Sequence, residues 1–427
     1  MELEDRLKRI AGFNPKSIRE TTSLKGEDRI VELLSGTLSQ NKFGEFVRIE
    51  KTFDSDELRR QIGLTTYEGF NGESLIQICS PRKSGTKEVC QASFDLKEAV
   101  FFDCETTGLA GGVGTYAFLV GLGYLSGNEF RIEQYFMQDF HQERAILSAI
   151  AEKMSGFKFL VSFNGKCYDL PLLETRWTIN RIDFDYTRWF HFDLLFPSRR
   201  LWKRRIEDCS LSNIEQKVLK VGREIDVPSF MIPQIYFDYI RTGQAEALIP
   251  VFYHNSYDIL SLLKLSVLID RALESCSPAE LEDPIDLYCL GRIHQNMGNY
   301  HASIKCYEQA LSGKVSPQWQ TEINVSLAFA HKRNRRLNEA ARIWHNLTEE
   351  EGFPFSLSAH EELAKYYEHR EKDYLKALSL VEQAISRLGY DPPQHRVLKH
   401  QATMNSLEHR KLRLKKKIQK NSTSIAS

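Results

Sequence analysis

The sequence predicts an α/β domain, a mixed sheet flanked by helices, followed by an all-α domain of helical repeats. Three observations lead there. Between about residues 97 and 274, short apolar runs bounded by turn residues alternate with helical patterns. Two of those runs are joined by a tight turn, which suits antiparallel pairing, and others are joined through helical segments, which suits parallel pairing. From Ile285 to Tyr390 the pattern is helical throughout, with an alanine recurring after a turn at Ala302, Ala340 and Ala377.

Taken in order, residues 1–96 read as an N-terminal extension that partly packs on the α/β domain and carries no assigned function. It holds strand-like runs at Phe46 to Ile49 and Leu75 to Cys79, and a Pro81-Arg82-Lys83-Ser84-Gly85 loop. The α/β domain, 97–274, opens on Ala99-Val100-Phe101-Phe102, a run of buried-strand type, and a glycine-rich turn from Gly108 to Gly114. Tyr116 to Tyr124 and Phe130 to Phe136 read as strands joined by Ser126-Gly127-Asn128. A helix over 143–154, a strand over Phe159 to Phe163, a helix over Leu170 to Ile179 and a strand over Trp189 to Leu195 complete the sheet pattern. The helical repeats span 283–395, and 396–427 is a basic C-terminal tail. The stripe of Leu287, Leu290, Ile293, Ile304, Tyr307 and Leu311 reads as repeat core.

Bulk properties narrow the class. The 427 residues suffice for two or three domains, and 42% hydrophobic residues suit a globular chain. No run approaches about 18 apolar residues, so no membrane span is expected. Charges fill Met1-Glu2-Leu3-Glu4-Asp5-Arg6-Leu7-Lys8, where a signal peptide needs an apolar stretch, so the expected location is cytoplasmic. Basic and acidic residues balance at 57 each, so any case for nucleic acid rests on local clusters. The eight cysteines show no zinc-ligand spacing and read as reduced thiols.

Three segments carry chemistry. In Asp103-Cys104-Glu105-Thr106-Thr107-Gly108, the two acids sit two residues apart at the end of a buried strand, so both side chains leave the same face. Carboxylates beside Phe101 and Phe102 need a partner, and a divalent cation is one. The plainer alternative is a solvated strand end. In Phe163-Asn164-Gly165-Lys166-Cys167-Tyr168-Asp169-Leu170-Pro171, another apolar strand delivers Asp169 at a turn, where it could equally cap the next helix. In Tyr253-His254-Asn255-Ser256-Tyr257-Asp258, His254 and Asp258 stand one helical turn apart on one face, an arrangement that a solvated histidine near a helix start would equally give.

Together these segments resemble the bacterial ribonuclease-H-like branch of the four-carboxylate 3′→5′ exonuclease superfamily, fused to C-terminal tetratricopeptide repeats. The first two segments match that family's motifs well, and the third matches in part. The family places a tyrosine four, or a histidine five, residues before the last aspartate; here His254 stands at minus four and Tyr253 at minus five. His191-Phe192-Asp193-Leu194-Leu195, Leu211-Ser212-Asn213-Ile214-Glu215 and Arg223 with Asp226-Val227-Pro228 also look like that branch. The run Leu290-Gly291, Gly298-Asn299-Tyr300, Ala302, Tyr307, Ala310-Leu311 resembles a tetratricopeptide repeat.

The resemblance implies a ribonuclease-H-like sheet and phosphodiester hydrolysis with two Mg²⁺ or Mn²⁺ ions. Asp103 would bridge both ions, Glu105 and Asp258 would hold the one that activates water, and Asp169 would hold the other, mainly through water. His254 would be the general base or orient the water. Thr106, Asn164 and Lys166 are candidates for gripping the strand. Arg199, Arg200 and Lys203 belong to a basic cluster around Trp202, on whose indole a base could stack; the alternative is a solvated basic face with a buried tryptophan. His191 and Asp193 read as supports rather than ligands. The expected partners are single-stranded DNA or RNA and a protein bound through the repeats, with no membrane. The competing reading is a catalytically weak nucleic-acid-binding scaffold that recruits a repair or RNA-processing partner.

Overall fold

A computed structural model describes residues 26–67, 70, 72–79, 94–108, 114–223, 226–274, 281–349, 356–389 and 397–425. The Pro81–Gly85 loop, most of the glycine-rich turn, Cys90 and Cys276 lie outside these residues. The chain divides after Glu274 into two compact units.

Among its described residues, the first unit is built on seven strands: β1 Thr37–Asn41, β2 Gly44–Phe53, β3 Ala99–Thr106, β4 Ala117–Ser126, β5 Glu129–Phe136, β6 Phe159–Ser162 and β7 Phe190–Asp193. They form one mixed sheet in the order β1-β2-β5-β4-β3-β6-β7. β4 and β5 turn tightly through Gly127, whose φ of 64° suits glycine, and pair antiparallel. β3 is antiparallel to β4 and parallel to β6, and β6 is parallel to β7. The carboxyl ends of β3, β6 and β7 therefore share one edge, where open α/β sheets place their sites.

Two sequence expectations need correction. Residues before 97 do more than lie against the sheet, because β2 pairs along its length with β5 and brings β1 with it. The Leu75 to Cys79 run is a helix, not a strand. Its apolar residues, Leu75, Ile76 and Ile78, are buried, and so short an apolar run fits either period.

The helices of this unit are α1 Gly26–Leu33, α2 Ser55–Ile62, α3 Glu73–Cys79, α4 Glu143–Met154, α5 Asp169–Ile179, α6 Leu195–Trp202, α7 Leu211–Ile214, α8 Ile232–Thr242 and α9 Ile249–Glu274. α4 covers one sheet face, where Lys153 reaches the buried Glu133 at 2.8 Å. α9 covers the other, where Gln134 of β5 donates to the Phe252 carbonyl and to Asn255 Oδ1, both at 2.9 Å. Two glycines of β4 let α9 approach. A Cβ on Gly121 would stand 2.3 Å from Asn255 Oδ1, and one on Gly123 would stand 2.3 Å from Ile259 Cγ2. α5 is tied to α4 by a buried bidentate pair, Arg176 to Glu143, at 2.5 and 2.6 Å.

The second unit is all-helical among its described residues: α10 Pro284–Met297, α11 Tyr300–Ser312, α12 Pro317–Arg333, α13 Leu337–Glu349, α14 Ser356–Tyr366, α15 Tyr374–Leu388 and α16 Val397–Ile425. Each helix packs on the next. Ala302, Ala340 and Ala377 are buried, as small residues at close helix crossings should be. Of the expected core stripe, Leu311 alone is only half-buried. The basic tail is the helix α16. Its Arg410, Arg413 and Lys417 converge on Glu368, whose side chain is 0% exposed, at 2.6 to 2.9 Å. These three cations are therefore engaged within the fold. No helix among the described residues is long and apolar enough to cross a membrane.

Candidate active site

β3 ends in Asp103 and Glu105, which the two-residue period sets on one face. That face is the one α9 crosses. Asn255 of α9 donates to the Asp103 carboxylate at 2.9 Å and to its backbone carbonyl at 3.2 Å, while Gln134 holds the Asn255 oxygen. Further along α9, Asp258 faces the same space, with His254 one turn before it. Asp169 arrives from the β6–α5 turn as the first residue of α5.

The electrostatics show that the four carboxylates share one environment. Burial raises the Asp103 carboxyl well above the usual carboxylate range, and the charges on Asp258, Glu105 and Asp169 raise it further. Burial likewise pushes Glu105 up to about 8, with His254 opposing and Asp258 and Asp169 reinforcing. Burial lifts Asp169 to about 7 against a backbone N–H that favours its charge, with Asp193 and Asp258 adding to the rise. Such crowding is unfavourable unless protons or cations intervene. Burial opposes charge on His254, but Asp258, Asp226 and Glu105 outweigh it and raise the imidazole to about 9.

Glu105, His254 and Asp258 are 8%, 8% and 9% exposed. One ligand atom from each lies within 4.8 Å of the others. No hydrogen bond to the Glu105 carboxylate occurs among the described residues, and its ion-pair neighbour is His254 Nε2 at 4.0 Å. A buried carboxylate without a donor, beside an imidazole and a second carboxylate that could each offer a ligand atom, fits a divalent cation.

The sequence reading assigned no role to four residues that surround this set. Arg223 reaches Asp258 Oδ1 and is itself held by Glu215 at 2.7 and 2.8 Å. Asp226 contacts His254 Nδ1 at 2.7 Å. Asn255 braces Asp103. Arg223, Asp226 and Glu215 fall in stretches that look family-like, which was the available signal, but no periodicity ties them to α9.

The other sequence-predicted residues lie around this centre or away from it. Asp193 at the end of β7 accepts from the backbone N–H of Asn164 (2.7 Å), Lys166 (3.2 Å) and Leu195 (3.1 Å). It shapes the β6–α5 turn, in which Asn164 adopts φ 65° and Lys166 is exposed. His191 contacts Ser162 Oγ at 2.7 Å. The Thr106 hydroxyl donates to the Gly108 carbonyl at 2.9 Å. Arg199, Arg200 and Lys203 are exposed on and just after α6, and Arg200 donates to the Ile78 carbonyl at 2.7 Å. None of the three contacts the four carboxylates among the described residues. Trp202 is 0% exposed, so the expected base stacking on its indole is ruled out: the indole belongs to the core.

Residues 100–269 match the RNase_H superfamily. Over 306 residues the chain is 31% identical to the uncharacterized protein YprB of Bacillus subtilis (strain 168), a span that covers 71% of this chain and 73% of YprB. The chain belongs to the YprB family. The β3-centred domain is an RNase-H-like, nuclease-type fold, and nucleic acid is the substrate class that this superfamily implies. The matched span of this YprB-family chain runs from β3 into α9 and so contains all four carboxylates, His254, Arg223 and Asp226.

Proposed function

We propose that this YprB-family chain is a metal-dependent 3′→5′ exonuclease that hydrolyses phosphodiester bonds of single-stranded DNA or RNA. One observation carries the reading: Asp103 with Glu105, Asp169 and Asp258, from three distant segments, lie close enough for their charges to act on one another. These four carboxylates would hold two divalent cations, Mg²⁺ or Mn²⁺. When bound, such ions activate water and stabilise the leaving oxygen. Asn255 fixes Asp103, and Arg223 fixes Asp258, so neither carboxylate is free to turn away. Asn164 and Lys166, on the turn that Asp193 shapes, are set to grip a phosphate, with Thr106 beside the first motif. Arg199, Arg200 and Lys203 extend a basic surface for the strand. The 3′→5′ polarity and the preference for single strands rest on the resemblance of the three motifs.

A second reading, a nucleic-acid-binding scaffold with weak catalysis, draws on the Arg223–Asp258 pair, because a cation already engages one oxygen of an expected metal ligand. One experiment separates the two. Oligonucleotides of DNA and of RNA, labelled at the 5′ end, are incubated with the pure chain and Mn²⁺ beside a circular single strand. A 3′→5′ exonuclease yields a ladder of shortened labelled products and leaves the circle intact. Binding without shortening supports the scaffold, and cutting of the circle contradicts the exonuclease assignment.

A further inference from the structure

We infer that His254 is itself a metal ligand, and that Glu105, His254 and Asp258 form a mixed carboxylate–imidazole seat that prefers Mn²⁺ to Mg²⁺, with Asp226 as the partner that orients the imidazole. This rests on the metal-dependent reading above and alters the base role expected for His254. The distances come first. His254 Nε2 stands 3.5 Å from Asp258 Oδ2 and 4.0 Å from Glu105 Oε1. Both are too long for good hydrogen bonds. Around one ion with ligands at about 2.1 Å, neighbouring donors stand about 3 Å apart and opposite donors about 4.2 Å, so the observed spacing suits a shared cation. Glu105, buried and without a hydrogen bond among the described residues, faces the same point.

The surroundings fix each donor. Arg223, clamped by Glu215, takes Asp258 Oδ1 and leaves Oδ2 toward the imidazole. Asp226 Oδ1 lies 2.7 Å from His254 Nδ1, and Arg223 Nη1 lies 2.9 Å from the same nitrogen. With its proton on Nδ1, the ring donates to Asp226, Arg223 Nη1 directs its own N–H to the same Asp226 oxygen at 3.4 Å rather than to Nδ1, and the Nε2 lone pair turns between the two carboxylates. A carboxylate behind the ring is the usual way a metal-binding histidine is oriented. The other tautomer would direct an N–H at carboxylates beyond good hydrogen-bond range. Mn²⁺ shares the oxygen preference of Mg²⁺ and is the weakest of the first-row ions on nitrogen, but it accepts an imidazole more readily than Mg²⁺, so one nitrogen donor shifts the balance from Mg²⁺ toward Mn²⁺.

The full-length chain, stripped with EDTA and reloaded with Mn²⁺, provides the test. Pulsed EPR of the bound ion should detect ¹⁴N coupling in the wild type and none in His254→Phe, with His254→Gln as the replacement if circular dichroism shows the first variant unfolded. Asp226→Asn should weaken Mn²⁺ binding about 10-fold or more and reduce the preference over Mg²⁺. Bound Mn²⁺ with no ¹⁴N coupling in the wild type, or coupling that survives removal of His254, would overturn the ligand role while leaving the hydrolase reading standing. A wild-type chain that binds no Mn²⁺ at about millimolar concentration would overturn both.

Discussion

At the scale of single residues, the acids of the site lean on named neighbours. Asp103 is braced by Asn255, which Gln134 holds in turn, so Asn255→Leu should free the Asp103 carboxylate while leaving it in place. The rate of hydrolysis should fall about 10-fold or more, with metal affinity weakened and the fold retained. Steady-state rates across a Mn²⁺ titration check this, and an unchanged metal dependence would count against the bracing role. Asp103 and Glu105 were legible from sequence because a strand's period of two sets them on one face. Arg223, Asp226 and Glu215 were not. Arg223 and Asp226 meet Asp258 and His254 on a helix about 30 residues away, Glu215 joins them through Arg223, and only tertiary packing brings them together.

At the scale of elements, the site depends on how closely α9 approaches the sheet. Gly121→Ala would drive a methyl group into Asn255 and Ile259, at 2.3 and 2.4 Å, both rooted on the helix. We expect a loss of about 1–3 kcal/mol in stability and a reduced rate in the fraction that folds, measured by urea unfolding and single-turnover cleavage. A variant with wild-type stability and rate would show that the close approach does not seat α9. In the helical unit, α16 is pinned through Glu368, whose carboxyl its cations hold down at about 2 against the effect of burial. Glu368→Gln should loosen α16 by about 2 kcal/mol, seen as faster amide exchange over 397–425. Unchanged exchange there would refute the anchor. Most strands and helices were visible in the sequence through their apolar periods. Membership of β1 and β2 in the sheet was not, because the edge strand Thr37–Asn41 is polar, Thr-Leu-Ser-Gln-Asn, and lacks an apolar alternation.

At the scale of the whole molecule, crowding of carboxylates links stability to pH. Glu105 at about 8, Asp169 at about 7 and His254 at about 9 all hold protons more tightly folded than unfolded. Their contribution is complete below the unfolded values, about 4 for the carboxyls and about 6.5 for histidine, and is lost as pH climbs through the folded values. In EDTA the melting temperature should therefore fall between about pH 6 and about pH 9. Saturating Mn²⁺ should remove the fall, because cations replace the protons and their binding strengthens as pH rises. A metal-free melting temperature that stays level or rises over that range would contradict the shared burial of these groups. Location of the carboxylates at the carboxyl ends of β3 and β6 and on α9 was readable from sequence only as three separate motifs. Their convergence is a property of the parallel β3–β6 pair and the crossing helix.

The most direct test compares wild type with Asp103→Asn in a time course on 5′-labelled single strands with Mn²⁺. The wild type should shorten the strand, and the variant should be slower on the order of 1,000-fold while melting at a similar temperature. Equal rates for the two proteins, or no shortening by the wild type on either DNA or RNA, would contradict the assignment of a metal-dependent nuclease to these four carboxylates.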